Sequence, residues 1–132
     1  MEFDHVGIAT REAGDLAKLF DDLLAAPIAH EERFDGMRVV FLELSDGTYF
    51  ELLEPHEGGP IADYLDREGP GLHHVALATP DVAAAIDRAR DLGVDPVDEA
   101  PRQGAWGHEV AFLHPRSTGG ILVEFVEREL DS

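Results

Sequence analysis

Two histidines and two glutamates recur at matching places in the sequence and could together hold a metal ion. His5 and His74 each lie near the start of an apolar stretch, and His74 follows His5 by 69 residues. Glu51 comes 46 residues after His5, and Glu124 comes 50 residues after His74, each inside another apolar stretch. Imidazole nitrogens and carboxylate oxygens suit divalent ions such as cobalt, nickel, zinc, manganese or iron. The pattern predicts one metal site with ligands from both copies of a duplicated unit.

Each glutamate could be placed in two ways by its strand. An unpaired carboxylate is expensive to bury, so Glu51 and Glu124 need partners if they face the interior. Strand alternation could instead point either of them to water. The recurrence of glutamate in both copies, each with a matching histidine, favours the metal site. Because the chain has no cysteine, imidazole and carboxylate are the only ligand classes open to it.

The elements that must position these residues form a module of strand, helix and three strands, written twice. Apolar periodicity and turn residues predict the elements of the first copy, at Met1 to Ala9, Ala13 to Leu24, His30 to Phe34, Met37 to Leu44 and Thr48 to Leu53. The second copy is predicted to begin at Leu72, to have a helix from Val82 to Leu92, and to continue with strands at Val94 to Val97, Glu109 to Leu113 and Ile121 to Val126. A linker with a short helix at Ile61 to Arg67 joins the copies.

The two predicted long helices are amphipathic and carry polar caps. Their apolar faces are predicted to consist of Leu16, Leu19, Phe20, Leu23 and Leu24 in the first copy, and of Val82, Ala85, Ile86, Ala89 and Leu92 in the second. Thr10 and Glu12 are predicted to cap the first helix, and Asp81 the second. A length of 132 residues with 44% hydrophobic content predicts a single domain.

The charge balance excludes several classes of partner. The chain has 28 acidic and 10 basic residues, a net charge of -18. Nucleic acid and anionic membranes bind clusters of lysine and arginine, so neither is an expected partner. No apolar run is long enough for a membrane span or a secretion signal, which predicts a soluble, cytoplasmic protein. Scattered acidic residues and a lone lysine, Lys18, favour a halophilic cytoplasm over an ordinary acidic protein.

Several segments resemble the methylmalonyl-CoA epimerase family of the vicinal-oxygen-chelate superfamily over essentially the full length. They are Asp4 to Ala9, Glu51 to Pro55, Pro60 to Ala62, Gly71 to Ala76, Phe112 to Arg116 and Gly120 to Glu124. The resemblance implies an α+β fold whose two tandem βαβββ modules, at about 1-67 and about 71-132, form a curved mixed sheet around a metal site. It also implies His5, His74, Glu124 and position 51 as ligands, with cobalt preferred over nickel, manganese or zinc, and a homodimer.

The implied reaction, a step of propionate metabolism, is epimerisation of (R)- and (S)-methylmalonyl-CoA through a metal-stabilised enolate. A carboxylate on each side of the α-carbon would exchange the proton. Some bacterial members have a glutamate proposed as a base where this chain has Val39. Glu43 points to the same face of that strand but lies four residues farther along. We therefore assign the acid/base roles to Glu51 and Glu124.

A coenzyme A thioester is a polyanion, so an acidic protein needs local positive charge to bind it. Arg33, Arg38, Arg102 and Arg116 are candidates, and His114 could line the entrance. At about 1 M salt the Debye length is near 3 Å, which screens the global repulsion but spares direct contacts. We expect higher substrate affinity in moderate or high salt than in low salt.

The remaining histidines are not predicted to be metal ligands, and three alternative functions remain. His73 points away from His74 in a strand and is predicted either to support a metal ligand from behind or to be structural, while His30, His56 and His108 are predicted to be surface residues. The principal alternative function is a glyoxalase-type lyase acting on the hemithioacetal of a thiol. A ring-cleaving dioxygenase with two histidines and one glutamate on iron, or a metal-free drug-sequestering protein, would not need four matched ligands.

Overall fold

A computed structural model describes residues 1–129, which form eight strands, three α-helices and two short 3-10 helices. The elements, in chain order, are β1 (Glu2–Ala9), α1 (Ala13–Leu24), β2 (Ile28–Phe34), β3 (Met37–Glu43), β4 (Tyr49–Pro55), α2 (Pro60–Glu68), β5 (Gly71–Thr79), α3 (Val82–Asp91), β6 (Arg102–Gln103), β7 (Glu109–Leu113) and β8 (Val123–Glu127). The 3-10 helices are Ala105–Gly107 and Pro115–Ser117. Strand, helix and three strands therefore occur twice, with α2 between the copies.

The chain divides into two compact units. The first half, His5–His73, contains strands in the order β2-β3-β4-β1. The second half, Met1–Asp4 together with the chain from His74 onwards, contains the order β5-β8-β7-β6. In each half the first strand pairs in parallel with the last, and the other neighbours pair antiparallel. Each half thus has a mixed sheet, and the two halves share one connectivity.

The first half packs α1 on one face of its sheet. Val40, Leu42 and Leu52 point towards that helix, and Ala13 and Ala17 are the helix residues fully buried against them. β3 is buried on both faces, as its run of β-branched and aromatic residues predicts. It follows β2 through Asp35-Gly36, whose φ values of 49° and 73° are both positive, as in the type I′ hairpin turn.

The second half packs α3 in the same way but with larger side chains. Val82, Ile86 and Ala89 of the helix meet Ala111 and Phe125 of the sheet. Val82 and Ile86 are essentially fully buried. Asp81 caps this helix through its side chain, which accepts a hydrogen bond of 3.0 Å from Ala84 N, as predicted.

A glutamate three residues beyond each predicted ligand glutamate holds the start of the helix in the same half. Glu54 Oε1 accepts a hydrogen bond of 2.8 Å from Ala13 N, and Glu127 Oε1 accepts one of 3.0 Å from Val82 N. The prediction that the Glu12 side chain caps α1 was wrong, since it makes no capping bond. A sequence pattern of local caps misses a carboxylate supplied by a distant strand.

Several predicted boundaries and faces differ from the structure. The strand predicted at 94–97 is reduced to a single bridge between Pro96 and Leu113, because proline has no N–H to extend the pairing. The strand in that place in the module is instead β6 at Arg102–Gln103. Four leucines assigned to apolar helix faces are exposed, and they are Leu19, Leu23, Leu24 and Leu92. In α1 the buried stripe is narrow because its alanines lie directly against the sheet.

No helix within residues 1–129 combines the length and apolar character that crossing a membrane requires.

Candidate metal centre

The first half brings His5 and Glu51 together on neighbouring parallel strands. Glu51 of β4 is in register with Gly7 of β1, and His5 lies two residues earlier on the same side of β1. His5 Nε2 and Glu51 Oε1 are 3.3 Å apart, and both side chains are buried. Strand alternation therefore points Glu51 inwards with its histidine, as predicted.

The second half repeats this arrangement with His74 and Glu124. Glu124 of β8 is in register with Ala76 of β5, two residues after His74. His74 Nε2 and Glu124 Oε1 are 3.2 Å apart, and both side chains are buried. The longer loop before β8 absorbs the four-residue difference in spacing, so the two pairs have the same geometry.

A phenylalanine orients the imidazole in each half. Phe41 of β3 lies opposite Glu51, and its ring meets the His5 ring edge-on at 5.6 Å and 85°. Phe112 of β7 lies opposite Glu124, and its ring meets the His74 ring at 5.5 Å and 83°. Edge-to-face contacts restrict ring rotation, so each imidazole is held in one orientation beside its carboxylate. We call the sheet side that carries His5, Glu51 and Phe41 the ligand face of the first half.

The donor set suits a divalent metal ion. Four side chains, His5, Glu51, His74 and Glu124, are all buried and contribute imidazole nitrogens and carboxylate oxygens. Burying carboxylates in apolar strands is costly without a cation or strong hydrogen bonds. Nitrogen and oxygen ligands without thiolates match zinc, cobalt, nickel, manganese or iron. The residues present therefore fit the predicted kind of ion.

Comparison with known proteins identifies the family of this chain. The profile of the glyoxalase/bleomycin resistance protein/dioxygenase superfamily matches residues 4–112. The ethylmalonyl-CoA/methylmalonyl-CoA epimerase of Cereibacter sphaeroides is 36% identical over 126 residues, covering 92% of this chain and 93% of that protein. The chain belongs to the methylmalonyl-CoA epimerase family within this superfamily. Its enzyme class, an isomerase, is as predicted.

Solved structures of the family match the fold over nearly the whole chain. The methylmalonyl-CoA epimerase of Mycobacterium tuberculosis superposes with a TM-score of 0.91 at 33% identity, covering 98% of this chain and 89% of that one. A Streptomyces coelicolor methylmalonyl-CoA epimerase in complex with 2-nitronate-propionyl-CoA gives 0.90 at 32% identity, covering 100% of this chain and 98% of that one. The predicted α+β vicinal-oxygen-chelate fold of two βαβββ modules is confirmed.

The ligand face of the first half also contains Val39, which is predicted to occupy the position of some relatives' proposed base. Val39 lies two residues before Phe41, so its side chain points to the same face, where it is fully buried. Glu43 is on the same side but lies opposite Tyr49 and is exposed. The residue directly opposite Val39 on β2 is Glu32. The structure therefore places a carboxylate one strand beyond Val39, which the sequence pattern did not reveal.

His30 was wrongly predicted to be a surface residue near a turn. It lies within β2 opposite Phe41, and the two rings are 6.3 Å apart. Its Nε2 is 3.4 Å from Glu32 Oε1, and both side chains are 28% exposed. His30 and Glu32 therefore form a half-buried pair on the ligand face. The signal for this was the alternation of His30 and Glu32 along β2.

The other predicted histidines lie away from the His–Glu pairs. His73 packs edge-on against Tyr64 at 5.0 Å, consistent with a structural role. His56 contacts Glu54, and its Nδ1 accepts a hydrogen bond of 2.9 Å from an Arg33 terminal nitrogen. His108 lies beside Trp106.

Two substrate candidates, His114 and Arg116, follow β7. The backbone N–H of His114 donates to Asp95 O at 2.7 Å, while its buried Nδ1 has no hydrogen-bond partner within residues 1–129. Arg116 is mostly exposed and pairs with Asp95 Oδ2 at 3.3 Å. Their roles in binding substrate stay predictions.

The remaining candidate arginines divide between the two sheet faces. Arg33 and Arg38 lie opposite each other on β2 and β3, and Arg38 lies opposite Glu54, on the side away from Glu51. The hydrogen bond that Arg38 Nε donates to Glu31 Oε2 raises the pKa of Arg38. Arg102 instead lies over the ring of Phe112. Arg33 and Arg38 are thus on the helix side of their sheet rather than on the ligand face.

A partly buried ion pair next to His5 was missed. Arg128 Nε contacts Asp4 Oδ1, whose side chain is buried, and the Arg128 guanidinium lies 5.7 Å over the Trp106 ring. Trp106 has a φ of 62°, a conformation unusual for a non-glycine residue. The signal in the sequence was an aspartate inside the first strand. The pair fixes the start of β1, from which His5 projects.

Proposed function

We propose that the protein catalyses metal-dependent epimerisation of (R)- and (S)-methylmalonyl-CoA. The observation that carries the proposal is the repeated His–Glu–Phe arrangement, with the same strand register in both halves of a chain similar to known epimerases. A buried carboxylate in each half suits a reaction that both removes and returns a proton. The further expectations of a homodimer, a cytoplasmic location and a halophilic setting belong to this proposal.

His5, Glu51, His74 and Glu124 would hold one divalent ion, for which we prefer cobalt. Such an ion supplies Lewis-acid stabilisation of the negative charge that develops on the thioester oxygen. The protein's own part is to hold both imidazoles in one orientation through Phe41 and Phe112. Pre-oriented ligands lower the reorganisation needed when charge develops.

Glu51 and Glu124 would move the proton. One carboxylate removes the α-proton, and the electron pair of the broken C–H bond delocalises into the thioester carbonyl. The other carboxyl group then returns a proton to the opposite side of the same carbon, which inverts its configuration. Support comes from Val39, which puts an apolar side chain where some relatives have their proposed base. Burial of both glutamates also keeps bulk water from competing for the proton.

The test is exchange of the α-proton in heavy water, followed by NMR with metal-loaded protein in high salt. We expect metal-dependent deuterium uptake together with loss of chirality, starting from either epimer. Folded, metal-replete protein that catalyses neither would contradict the proposal. Turnover of methylglyoxal with a thiol in that same preparation would indicate the glyoxalase-type lyase instead.

The acid/base assignment has its own test in Glu51→Gln. We expect this variant to retain bound metal, since an amide oxygen can still coordinate, and to lose about 100-fold or more in turnover. Glu43→Gln, on the same face but exposed, is the matched control and should change turnover less than about threefold. Full turnover in a metal-loaded Glu51→Gln variant would assign the proton transfer to another residue.

A further inference from the structure

Arg102 lies on the same side of the second half as His74 and Glu124. Arg102 pairs with Val110 of β7. Val110 lies two residues before Phe112 and points to the same face, and Phe112 lies opposite Glu124. The Arg102 guanidinium is 5.5 Å over the Phe112 ring, and that ring contacts the His74 imidazole. A continuous series of contacts therefore joins a cation to a predicted metal ligand.

Asp98 fixes this arginine without using up its donors. Asp98 Oδ1 accepts a hydrogen bond of 2.9 Å from Arg102 Nε, and Asp98 Oδ2 accepts one of 2.9 Å from Phe112 N. Within residues 1–129, the two terminal nitrogens of Arg102 have no hydrogen-bond partner. The side chain is 46% exposed. The guanidinium is thus held in place with two donor nitrogens open to a ligand.

The equivalent position in the first half has the opposite charge. Val39 corresponds to Val110. Each valine lies two residues before the phenylalanine that is opposite the predicted ligand glutamate of its half. Glu32 lies opposite Val39, as Arg102 lies opposite Val110. A negatively charged group of the substrate would be repelled by Glu32 and attracted by Arg102. The same position of the duplicated scaffold therefore repels an anionic group in the first half and attracts one in the second.

We propose that Arg102 binds an anionic oxygen group of the substrate through its terminal nitrogens and so sets substrate preference. The inference rests on the proposed function. Both the free carboxylate of a malonyl-type thioester and a phosphate of coenzyme A have this chemistry. A planar guanidinium binds either through two parallel hydrogen bonds.

The experiment measures dissociation constants by titration calorimetry and, separately, turnover, for wild type, Arg102→Gln and Arg102→Lys. Ligands are methylmalonyl-CoA, propionyl-CoA, which lacks the free carboxylate, and methylmalonyl-pantetheine, which lacks the nucleotide phosphates. The matched control is Arg67→Gln. Arg67 also lies over an aromatic ring, that of Tyr64 at 5.9 Å, and that ring contacts His73 rather than a predicted ligand.

For Arg102→Gln we expect methylmalonyl-CoA to bind about 10- to 100-fold more weakly, the loss typical of a hydrogen bond to a charged group. Arg102→Lys should lie between Arg102→Gln and wild type, because it keeps the charge but not the paired donors. If the carboxylate is the ligand, the affinity for propionyl-CoA stays unchanged and that for methylmalonyl-pantetheine falls. If a phosphate is the ligand, the reverse holds.

Affinities within twofold of wild type for all three ligands in both variants, as expected for Arg67→Gln, would overturn the inference. Circular dichroism and the melting temperature identify a folding defect, and Arg102→Lys, which can still pair with Asp98, then provides the comparison. The two proposals fail separately. Wild-type protein that binds methylmalonyl-CoA without epimerising it contradicts the proposed function, and the ratio of dissociation constants still decides the role of Arg102.

Discussion

The two halves agree closely where the predicted ligands lie and diverge one strand farther out. His5 and His74 both lie two residues before the position in register with a glutamate, and both meet a phenylalanine edge-on. Beyond those strands, β2 has seven residues and pairs along its length, whereas β6 has only two. The register of the strands that carry the predicted ligands is the same in both halves, because a shift of one residue would turn every side chain to the opposite face of the sheet. The outer strands carry no such constraint, so they are free to specialise.

The largest effect we predict comes from removing either imidazole. His5→Ala and His74→Ala should each lower turnover by roughly 1,000-fold, since Lewis-acid stabilisation of several kcal/mol is lost with the metal. If the halves contribute equally, the two losses and the two metal affinities should agree within about threefold. Metal content after dialysis and the rate of α-proton exchange measure both quantities.

His73→Ala is the control for these two variants, because this neighbouring histidine packs against Tyr64 instead. It should bind metal as wild type does. Normal metal content in His5→Ala alone would show that the second half holds the ion without help from the first, and would break the equivalence.

The two helices should differ in what they contribute to stability. Ile86 of α3 is 1% exposed within the core of the second half, so Ile86→Ala should reduce the free energy of unfolding by about 2–4 kcal/mol. Leu19 of α1 is 53% exposed, so Leu19→Ala should change it by less than about 0.5 kcal/mol. Urea denaturation measures both. A large loss in Leu19→Ala, dependent on protein concentration, would instead indicate that α1 is covered in an oligomer.

These helices also show what the sequence can and cannot predict. Periodicity located α1 correctly at both ends, and it located the strand Glu109–Leu113, because both have regular patterns bounded by turn residues. It wrongly assigned Leu19 and Leu23 to the buried face of α1. A buried face predicted from large apolar residues is displaced around the helix when alanines make the contact with the sheet. Burial by small residues depends on how closely the sheet approaches, and composition does not encode that distance.

The candidate site was more predictable than its surroundings. Duplication of a histidine and a glutamate identified both pairs, because repeated polar residues in apolar strands leave few alternatives. The sequence pattern misplaced His30 and assigned Glu32 and Arg102 no position on the sheet. These residues lie on outer strands, whose register follows from turn geometry and not from a repeated motif. The strand predicted at 94–97 failed for a different reason, since Pro96 has no N–H to extend the pairing.

A glycine in each half separates crowding from helix propensity. A Cβ at Gly104 would lie 2.8 Å from Val110 Cγ2, so Gly104→Ala should cost about 1–3 kcal/mol and weaken substrate binding by displacing nearby Arg102. A Cβ at Gly14 would lie 3.1 Å from the movable end of Arg38. Gly14→Ala should be neutral or stabilise by up to about 1 kcal/mol, since alanine favours helix. Thermal unfolding measures both, and equal losses would contradict the assigned contacts.

The smallest effects concern the glutamates that hold the helix starts. Glu54→Gln and Glu127→Gln should each cost about 1 kcal/mol at neutral pH, as loss of a charged cap does. Glu12→Gln, on a side chain that makes no capping bond, is the control and should be neutral. A cost for Glu12→Gln as large as for the other two would contradict the cap assignment.

Glu54 differs from Glu127 in its neighbours, and this gives its cap a pH dependence. Burial acts to raise the pKa of Glu54, but hydrogen bonds from His56 and Ala13 N, with the charges of His56 and Arg38, outweigh it and lower the pKa below the ordinary value of 4.5. A depressed pKa in the folded state contributes stability above the unfolded value and loses it as the pH falls through the folded value. The cost of Glu54→Gln should therefore be largest near pH 7 and shrink below about pH 4.5. A cost that stayed constant from pH 7 to pH 3.5, measured by urea denaturation, would show that His56 and Arg38 do not act on this carboxylate.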